Sequence, residues 1–337
     1  MSTIQQLRLH GPGEVRLDDV ETPQPGPRDV VVRVQACGIC GSDLGYIKVG
    51  GIAGPVSDPI PLGHEFSAVV DRVGAEVSTY RPGMRVVVNP LAAGNNIGNG
   101  GDAGAFAREI VIRDVEQAPT LFPIPDDLPF DQAALAEPLG VALQAVERAG
   151  VAAGDKVTIF GAGPIGLMTL AALLYRGFSD VAIVDLSDNR LGIAAALGAT
   201  LTLNPERDDV WQRLRELHGT EMFLGFLPTA GAHAYIEASG AAAVIPDIIN
   251  QARPGATICV VALHRQPIPV DFSMVLAKQL TLAGSMAYPE DYAETVRILA
   301  EVDLSAVITH RFPLSEFSAA LRIARNPSLA GKVLIEP

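Results

Sequence analysis

Apolar residues follow one rhythm at the start of the chain and another in its middle. Up to about residue 130, short β-branched runs end at turns rich in Pro and Gly, and no long helical period occurs. These runs predict strands at residues 30–34, 67–73 and 85–88. A helical period covers residues 133–149, with an interruption at Pro138. We therefore expect a β-rich domain at the start of the chain.

Beyond residue 154 the rhythm becomes an alternation of short buried strands and helices. It predicts strands at residues 157–160, 181–184, 235–237, 257–261 and 280–283, and helices at residues 165–176, 190–197 and 242–252. This alternation favours a parallel sheet with helices on both faces. The remaining chain predicts helices at residues 291–300 and 315–325 and a strand at residues 332–335. We therefore expect an α/β domain at residues 150–285, inserted into a domain made of residues 1–149 and 286–337.

Composition excludes several classes of partner. Of the 337 residues, 48% are hydrophobic and the formal net charge is −13, so nucleic acid and anionic membranes are not expected partners. The uncharged stretch 157–175 has the length of a membrane span, but its glycines and Pro164 argue against one. Three cysteines are too few for a disulfide framework, and the first residues do not have the pattern of a secretory signal. We expect a cytoplasmic protein.

Residues 157–166 have the order strand, Gly-x-Gly-x-x-Gly and helix, which is the pattern of a dinucleotide-binding turn. Gly161 permits the tight turn, Gly163 lets the backbone approach a pyrophosphate, and Gly166 lets the helix pack on the strand. Ile165 opens the helix whose amino terminus faces the phosphates.

Asp185 lies roughly 20 residues beyond this turn, at the end of the next predicted strand. A carboxylate there accepts hydrogen bonds from ribose hydroxyls and repels a 2′-phosphate, which predicts NAD rather than NADP. Arg190 follows closely and could pair with such a phosphate, which would soften the preference. The alternative is a glycine-rich turn of another α/β protein, in which Asp185 only caps the following helix.

Thiolate, imidazole and carboxylate side chains occur in three short segments of the expected β-rich domain. Cys37 and Cys40 form a CxxC pair, His64 and Glu65 are adjacent, and Glu137 opens the later helical stretch. Taken singly, they could be a redox pair, a core histidine and a solvated carboxylate. A redox pair is disfavoured because glycines and a strand end surround it. Together the segments offer the ligand set of a catalytic zinc with an open position.

In content and order these segments resemble the zinc-containing medium-chain dehydrogenases, within them the sorbitol, butanediol and threonine dehydrogenase branch. The resemblance covers almost the whole chain and is carried by Ala36-Cys37-Gly38-Ile39-Cys40-Gly41-Ser42-Asp43, Gly63-His64-Glu65-Phe66, Ala136-Glu137-Pro138-Leu139, Gly161 to Gly166, Glu237-Ala238-Ser239-Gly240 and Gly284-Ser285. It implies a GroES-like β-rich catalytic domain plus a Rossmann domain with a doubly wound parallel sheet.

The resemblance also implies the metal site. One catalytic Zn²⁺ per chain would be held by Cys40, His64 and Glu65, with Glu137 as a fourth ligand or as a neighbour reached through water. Asp43 would orient His64 from behind. One of the two CxxC cysteines is expected to be a packing residue.

The activity implied is hydride transfer from a secondary alcohol, a diol or polyol, to NAD, which gives a ketone. Zinc would acidify the alcohol, and Ser42 would start the path of the leaving proton. The expected partner is a small-molecule substrate, and similar enzymes are homodimers or homotetramers. Two alternatives are a zinc-free quinone or enone reductase of the same superfamily, and a non-catalytic NAD-binding protein.

Three features depart from the family pattern. Residues 89–101 contain no cysteine, so the second, structural zinc of many relatives is not expected. Gly45 replaces a histidine that often ends the proton path. Residues 222–229 form an additional apolar stretch, for which a subunit contact is the simplest hypothesis.

Overall fold

The computed structural model describes residues 2–326 and 330–337 and divides the chain into two compact units. One unit comprises Met1–Glu137 and Tyr292–Pro337, and the other comprises Pro138–Asp291. The division falls inside one helix, at its third residue, so that this helix contributes to both units.

The first unit is built mainly from strands. Its elements in chain order, up to the helix that leads into the second unit, are β1 (Thr3–Gly11), β2 (Glu14–Glu21), β3 (Val30–Gly38), α1 (Gly41–Val49), β4 (Ile60–Pro61), β5 (Glu65–Val73), β6 (Arg85–Val88), β7 (Glu109–Ile112), β8 (Leu121–Pro123), α2 (Phe130–Ala133) and α3 (Ala136–Ala149). The predicted strands are present. Two of them are longer than expected, because β3 continues to Gly38 and β5 begins at Glu65.

The second unit alternates strands and helices as the sequence predicted. Its elements are β9 (Val157–Phe160), α4 (Pro164–Tyr175), β10 (Val181–Val184), α5 (Asp188–Leu197), β11 (Leu201–Leu203), α6 (Val210–His218), β12 (Thr220–Phe223), β13 (Leu227–Ala230), β14 (Ala234–Glu237), α7 (Val244–Gln251), β15 (Thr257–Val260), α8 (Phe272–Ala277) and β16 (Thr281–Gly284). The chain then returns to the first unit with α9 (Glu294–Glu301), β17 (Ile308–Pro313), α10 (Phe317–Ala324) and β18 (Lys332–Glu336).

A seven-stranded sheet forms the centre of the first unit. Its strands follow the order β17-β18-β3-β5-β6-β8, and β7 pairs with β3 outside that path. A separate three-stranded sheet has the order β2-β1-β4. Most apolar side chains of β3, β5 and β6 are buried and form the core, because β-branched residues pack well on a pleated surface. The late strand β18 pairs with β3, and this pairing places it beside the first cysteine segment.

The second unit contains a six-stranded parallel sheet in the order β11-β10-β9-β14-β15-β16. This confirms the predicted Rossmann-type sheet. The strand order reverses between β9 and β14, which defines the crevice at the carboxyl ends of these two strands. Within residues 2–326 and 330–337, no helix combines the length and the apolar character that a membrane span requires.

Two local expectations need correction. The helix α3 passes through Pro138 without interruption, because a proline in the first turn removes an N–H that has no partner inside a helix. A helix that the sequence did not predict, α1, begins immediately after Cys40. Residues 222–229 belong to the hairpin β12–β13, whose Met222 and Phe226 side chains are exposed, and the role of this stretch as a subunit contact stays a prediction.

Candidate metal and dinucleotide sites

Cys40 and His64 are positioned by the ends of two secondary-structure elements. Cys40 is the N-cap residue of α1, and His64 comes directly before β5. One buried carboxylate, Asp43, joins the two segments. Its Oδ2 accepts a hydrogen bond from the Cys40 backbone N–H at 2.9 Å, and its Oδ1 accepts one from the Gly63 N–H at 3.4 Å.

The side chains of Cys40, His64 and Glu65 form a cluster with the composition of a metal site. One potential ligand atom from each residue lies within 4.8 Å of the others. His64 and Glu65 are buried, and Cys40 is half-buried. The thiol, imidazole and carboxylate donors are those that zinc prefers, so the cluster fits the predicted metal.

Burial and electrostatics in this cluster favour occupation by a cation. Burial raises the pKa of the Cys40 thiol, and the nearby Glu65 raises it further, whereas His64 lowers it. Burial opposes the charge of His64, but Asp43 and Cys40 outweigh it and raise the pKa of His64. A divalent cation reverses these effects, since it stabilises the thiolate and the neutral imidazole.

The imidazole of His64 retains an orphaned ring nitrogen. Nδ1 is buried and makes no hydrogen bond within the part of the chain that the structure describes, and it lies 3.7 Å from Asp43 Oδ1. Nε2 lies 3.4 Å from the Ser42 hydroxyl oxygen. A small ring rotation would bring Nδ1 to Asp43, which is the outer contact that fixes a metal-binding imidazole.

Glu65 has a cationic partner that the sequence analysis did not identify. Lys332 Nζ, on β18, donates to Glu65 Oε1 at 2.8 Å and to Oε2 at 2.5 Å, and both side chains are buried. Burial opposes the charge on Lys332, but Glu65 and Cys40 outweigh it and raise the pKa of Lys332. The sequence did offer one indication of this pair, since a lysine in the apolar strand Lys332–Glu336 is rarely buried without a partner.

Gly38 provides the space for this ion pair. It is the cross-strand neighbour of Glu65, and a Cβ atom there would lie 2.1 Å from Glu65 Oε2 and 3.2 Å from the Lys332 side chain. Neighbouring Cys37 is fully buried in the apolar core, and burial raises the pKa of its thiol well above the usual value. The structure thus places Cys40, and not Cys37, in the cluster.

Glu137 is the second residue of α3 and is nearly fully buried. It is not part of the cluster of Cys40, His64 and Glu65, whose ligand atoms lie within 4.8 Å of one another. Its negative charge nevertheless contributes to the raised pKa of His64 and of Lys332. The structure therefore brings Glu137 into the electrostatic surroundings of the cluster.

The glycine turn of the second unit is as tight as the sequence predicted. Gly161 has φ +102°, and a Cβ there would lie 2.8 Å from the backbone of Ala238 and Ser239. A Cβ at Gly166 would lie 1.8 Å from the Gly161 carbonyl oxygen. Gly163 is the N-cap of α4, and no side chain caps the helix there, which leaves its amino terminus open for an anion.

Asp185 connects the turn to the next helix. Its Oδ2 accepts a hydrogen bond from the Ala162 N–H at 2.6 Å, and its Oδ1 accepts one from the Ser187 N–H at 2.7 Å. Ser187, rather than Asp185, is the N-cap of α5. Burial lowers the pKa of Arg190, and the charge of Asp185 opposes this, so the guanidinium lies in the field of that carboxylate.

Comparison with known protein families identifies the type of each unit. A sequence model described as zinc-binding dehydrogenase matches residues 164–301, and one described as alcohol dehydrogenase GroES-like domain matches residues 26–126. The predicted combination of a GroES-like domain and a Rossmann-type domain is therefore confirmed.

Individual relatives cover nearly the whole chain. It is 33% identical to sorbitol dehydrogenase of Homo sapiens, over 92% of this chain and 89% of that protein. It is 32% identical to (R,R)-butanediol dehydrogenase of Neisseria gonorrhoeae, over 99% of both. Among solved structures, 2R,3R-butanediol dehydrogenase from Bacillus subtilis superimposes with a TM-score of 0.87 at 27% identity, over 99% of each chain.

Proposed function

The chain is a member of the zinc-containing medium-chain alcohol dehydrogenase superfamily, and we propose that it oxidises a vicinal diol or a polyol to a ketone with NAD. The Cys40–His64–Glu65 cluster carries the proposal, because zinc-free reductases do not need such a donor set. The sorbitol and butanediol dehydrogenase relatives support a substrate with more than one hydroxyl group.

In this proposal Cys40, His64 and Glu65 hold the zinc ion, and Glu137 is the carboxylate beside it. Zinc bound there supplies Lewis acidity, which lowers the pKa of a substrate hydroxyl. Ser42 would relay the hydroxyl proton, taking it up while releasing its own proton to solvent water, since its half-buried side chain lies against the His64 ring.

Lys332 keeps the charge of this site in balance. A thiolate and one carboxylate neutralise a divalent cation, and a second carboxylate would leave the site negative and a poorer Lewis acid. The Lys332 ammonium contacts both oxygens of Glu65 and so offsets one of the two carboxylates.

The dinucleotide is proposed to bind along the crevice of the second unit. Gly161, Gly163, Ile165 and Gly166 supply the turn and the open helix terminus for the pyrophosphate. Asp185 faces the adenosine ribose, which favours NAD over NADP, and Arg190 stands beside it.

A comparison of alcohols tests the proposed substrate class. Two buried carboxylates near one site favour a substrate whose second hydroxyl can hydrogen-bond one of them, which leaves no charge unpaired. We expect kcat/KM for NAD reduction to be highest with 2,3-butanediol or a sugar alcohol, lower with 2-butanol and lowest with ethanol. A clear preference for ethanol, or for a bulky aromatic alcohol, would contradict the diol and polyol assignment while leaving zinc-dependent oxidation intact.

We also propose a homodimer or homotetramer in a reducing compartment, the cytoplasm. Three free cysteines support the compartment. The edge strand β16 and the exposed side chains of Leu282 and Met286 support self-association. Light scattering in solution measures the mass, and a monomer at all concentrations would refute the assembly.

A further inference from the structure

A pair formed by the buried Glu237 and the half-buried His264 lies at the carboxyl ends of β14 and β15, beside the dinucleotide crevice. Glu237 is the last residue of β14 and pairs in register with Phe160, the last residue of β9. His264 lies in the loop after β15, the next strand of the sheet. In open α/β sheets ligands bind outside the carboxyl ends of the strands, at the point where the strand order reverses.

The carboxylate of Glu237 is fully buried and has a different set of partners on each oxygen. Oε1 accepts hydrogen bonds from the Ser239 N–H at 2.9 Å, the Ser239 hydroxyl at 2.5 Å and the Gly240 N–H at 2.8 Å. Oε2 lies 2.7 Å from His264 Nε2. Glu237 therefore fixes both the loop that packs on Gly161 and the ring of His264.

This arrangement determines which ring nitrogen of His264 carries a proton. Glu237 Oε2 is an acceptor, so Nε2 must donate, and the neutral ring then presents Nδ1 as an acceptor. No residue that the structure describes hydrogen-bonds to this Nδ1, and 13% of the His264 side chain is exposed. An oriented acceptor at the edge of the crevice matches a hydroxyl group of a ligand.

We propose that His264 binds a hydroxyl of the nicotinamide ribose and that Glu237 is its positioning residue. The proposal deepens the proposed function, because it rests on NAD occupying the crevice. The pyrophosphate belongs at the amino terminus of α4, which follows β9. His264 follows β15, two strands farther along the sheet or about 10 Å away. That side of the crevice takes the second mononucleotide.

Three ligands separate the contact with this ribose from contacts with the rest of the dinucleotide. NADH and ADP-ribose contain the second ribose, and ADP contains the same pyrophosphate without it. Titrations of the zinc-loaded chain of 337 residues measure the dissociation constant of each ligand. For His264→Phe we expect about 10-fold weaker binding of NADH and ADP-ribose and less than about 2-fold change for ADP, since one hydrogen bond is lost.

His233→Phe is the matched control. His233 lies at the amino end of the same strand, β14, so its replacement removes a histidine from the opposite edge of the sheet. All three dissociation constants are expected to stay within about 2-fold of those of the unaltered protein, as for any site remote from the ligand.

Glu237→Gln tests the positioning role. The three donors around Oε1 require the amide oxygen on their side, so the amide N–H₂ faces Nε2 and converts Nδ1 into a donor. The ribose hydroxyl must then change from donor to acceptor, so Glu237→Gln alone should weaken NADH binding, by less than His264→Phe does, and it should weaken binding no further in the His264→Phe background. A purely structural role of Glu237 would weaken it in both backgrounds, and ADP binding with it.

Two results would overturn the proposal. If His264→Phe weakens the binding of ADP and of NADH equally, His264 contacts the phosphates. If it weakens the binding of none of the three ligands, His264 does not face the cofactor. If the unaltered protein binds none of the three ligands, the proposed function itself fails. Thermal unfolding of each variant identifies losses of affinity that come from misfolding.

Discussion

The metal cluster and the dinucleotide turn hold their functional atoms by opposite means. At the cluster, buried ionic side chains hold one another, as Lys332 holds Glu65. At the turn, the important feature is the absence of side chains, since Gly161 and Gly166 leave no room for a Cβ atom. The first site is therefore sensitive to loss of charge, and the second to added volume.

The difference also determines whether the effect of a substitution at each site can be compensated. Removing one member of a buried group of charged side chains leaves the others without a countercharge. The loss of stability therefore depends on whether another ion takes its place. A steric conflict with the backbone has no such remedy, because no ligand creates space at Gly166. The following predictions test this contrast.

The largest effect is expected for Cys40→Ala. Loss of the thiolate should reduce zinc from one ion per chain to nearly none and lower kcat/KM at least about 1000-fold, because the metal supplies several kcal/mol. Elemental analysis and steady-state kinetics measure the two. Cys37→Ala is the control, since Cys37 packs in the core outside the cluster. It should keep its zinc and lose about 1 kcal/mol of stability. An active Cys40→Ala enzyme would show that the ligand assignment is wrong.

Lys332→Met should lower the unfolding free energy of the zinc-free protein by about 3 kcal/mol, because Glu65 is left buried and unpaired. The loss should shrink when zinc is bound, since the cation then neutralises Glu65. Urea unfolding with and without zinc measures both values.

Lys278→Met is the control for this variant. Lys278 Nζ donates to the carbonyl oxygens of Ile249, Asn250 and Ala252 and pairs with no carboxylate of the described residues. Burial without such a partner lowers the pKa of Lys278 to about 8. Its loss of stability should be equal with and without zinc. If the loss of stability in Lys332→Met is the same with and without zinc, Lys332 does not act on the charge of the metal site.

Gly166→Ala should cost about 2–3 kcal/mol, because the added Cβ atom clashes with the Gly161 carbonyl oxygen. We expect part of this cost as a lower free energy of unfolding and the rest as weaker NADH binding. Gly192→Ala, in the interior of α5, is the matched control. A Cβ there meets nothing within 4 Å, so the change should be neutral or stabilise by up to about 1 kcal/mol. Denaturant unfolding and NADH titration measure both. Normal NADH affinity in Gly166→Ala would contradict a sterically closed turn.

Asp185→Ala should reduce the preference for NAD over NADP about 100-fold, because repulsion of the 2′-phosphate and hydrogen bonds to ribose are both lost. The ratio of kcat/KM for the two cofactors is the measurement. Asp188→Ala is the control, since Asp188 lies on the exposed start of α5 and pairs with Arg207. Its ratio should change less than about 3-fold. An unchanged ratio in Asp185→Ala would refute the cofactor assignment.

The same contrast explains which parts of the structure could be predicted from the sequence. The turn around Gly161 and the strands on either side of it were predicted almost to the residue, because glycine spacing and β-branched runs act locally. The short helix α1 was missed, since it contains Gly41 and Gly45 and depends on the contact between Asp43 and Cys40.

Contacts between residues far apart in the chain could not be predicted from the sequence, for a different reason. Cys40, His64 and Glu65 could be grouped by a resemblance, but Lys332 has no local pattern that points to Glu65. The pairing exists because β18 lies beside β3, and strand order is a property of the whole fold. The contact of Glu237 with His264 depends in the same way on the adjacency of β14 and β15.

The pairing of β18 with β3 also has a consequence for biosynthesis. Lys332 follows Glu65 by 267 residues, so at ribosomal rates of about 5–20 residues per second it emerges roughly 15–50 s later. During that interval the whole α/β unit is synthesised, while β3 has β5 and β7 beside it but lacks β18, and Glu65 lacks its countercharge. A nascent chain that meets zinc in this period offers it the Glu65 carboxylate without competition. The first unit of the chain is therefore also the last to be completed.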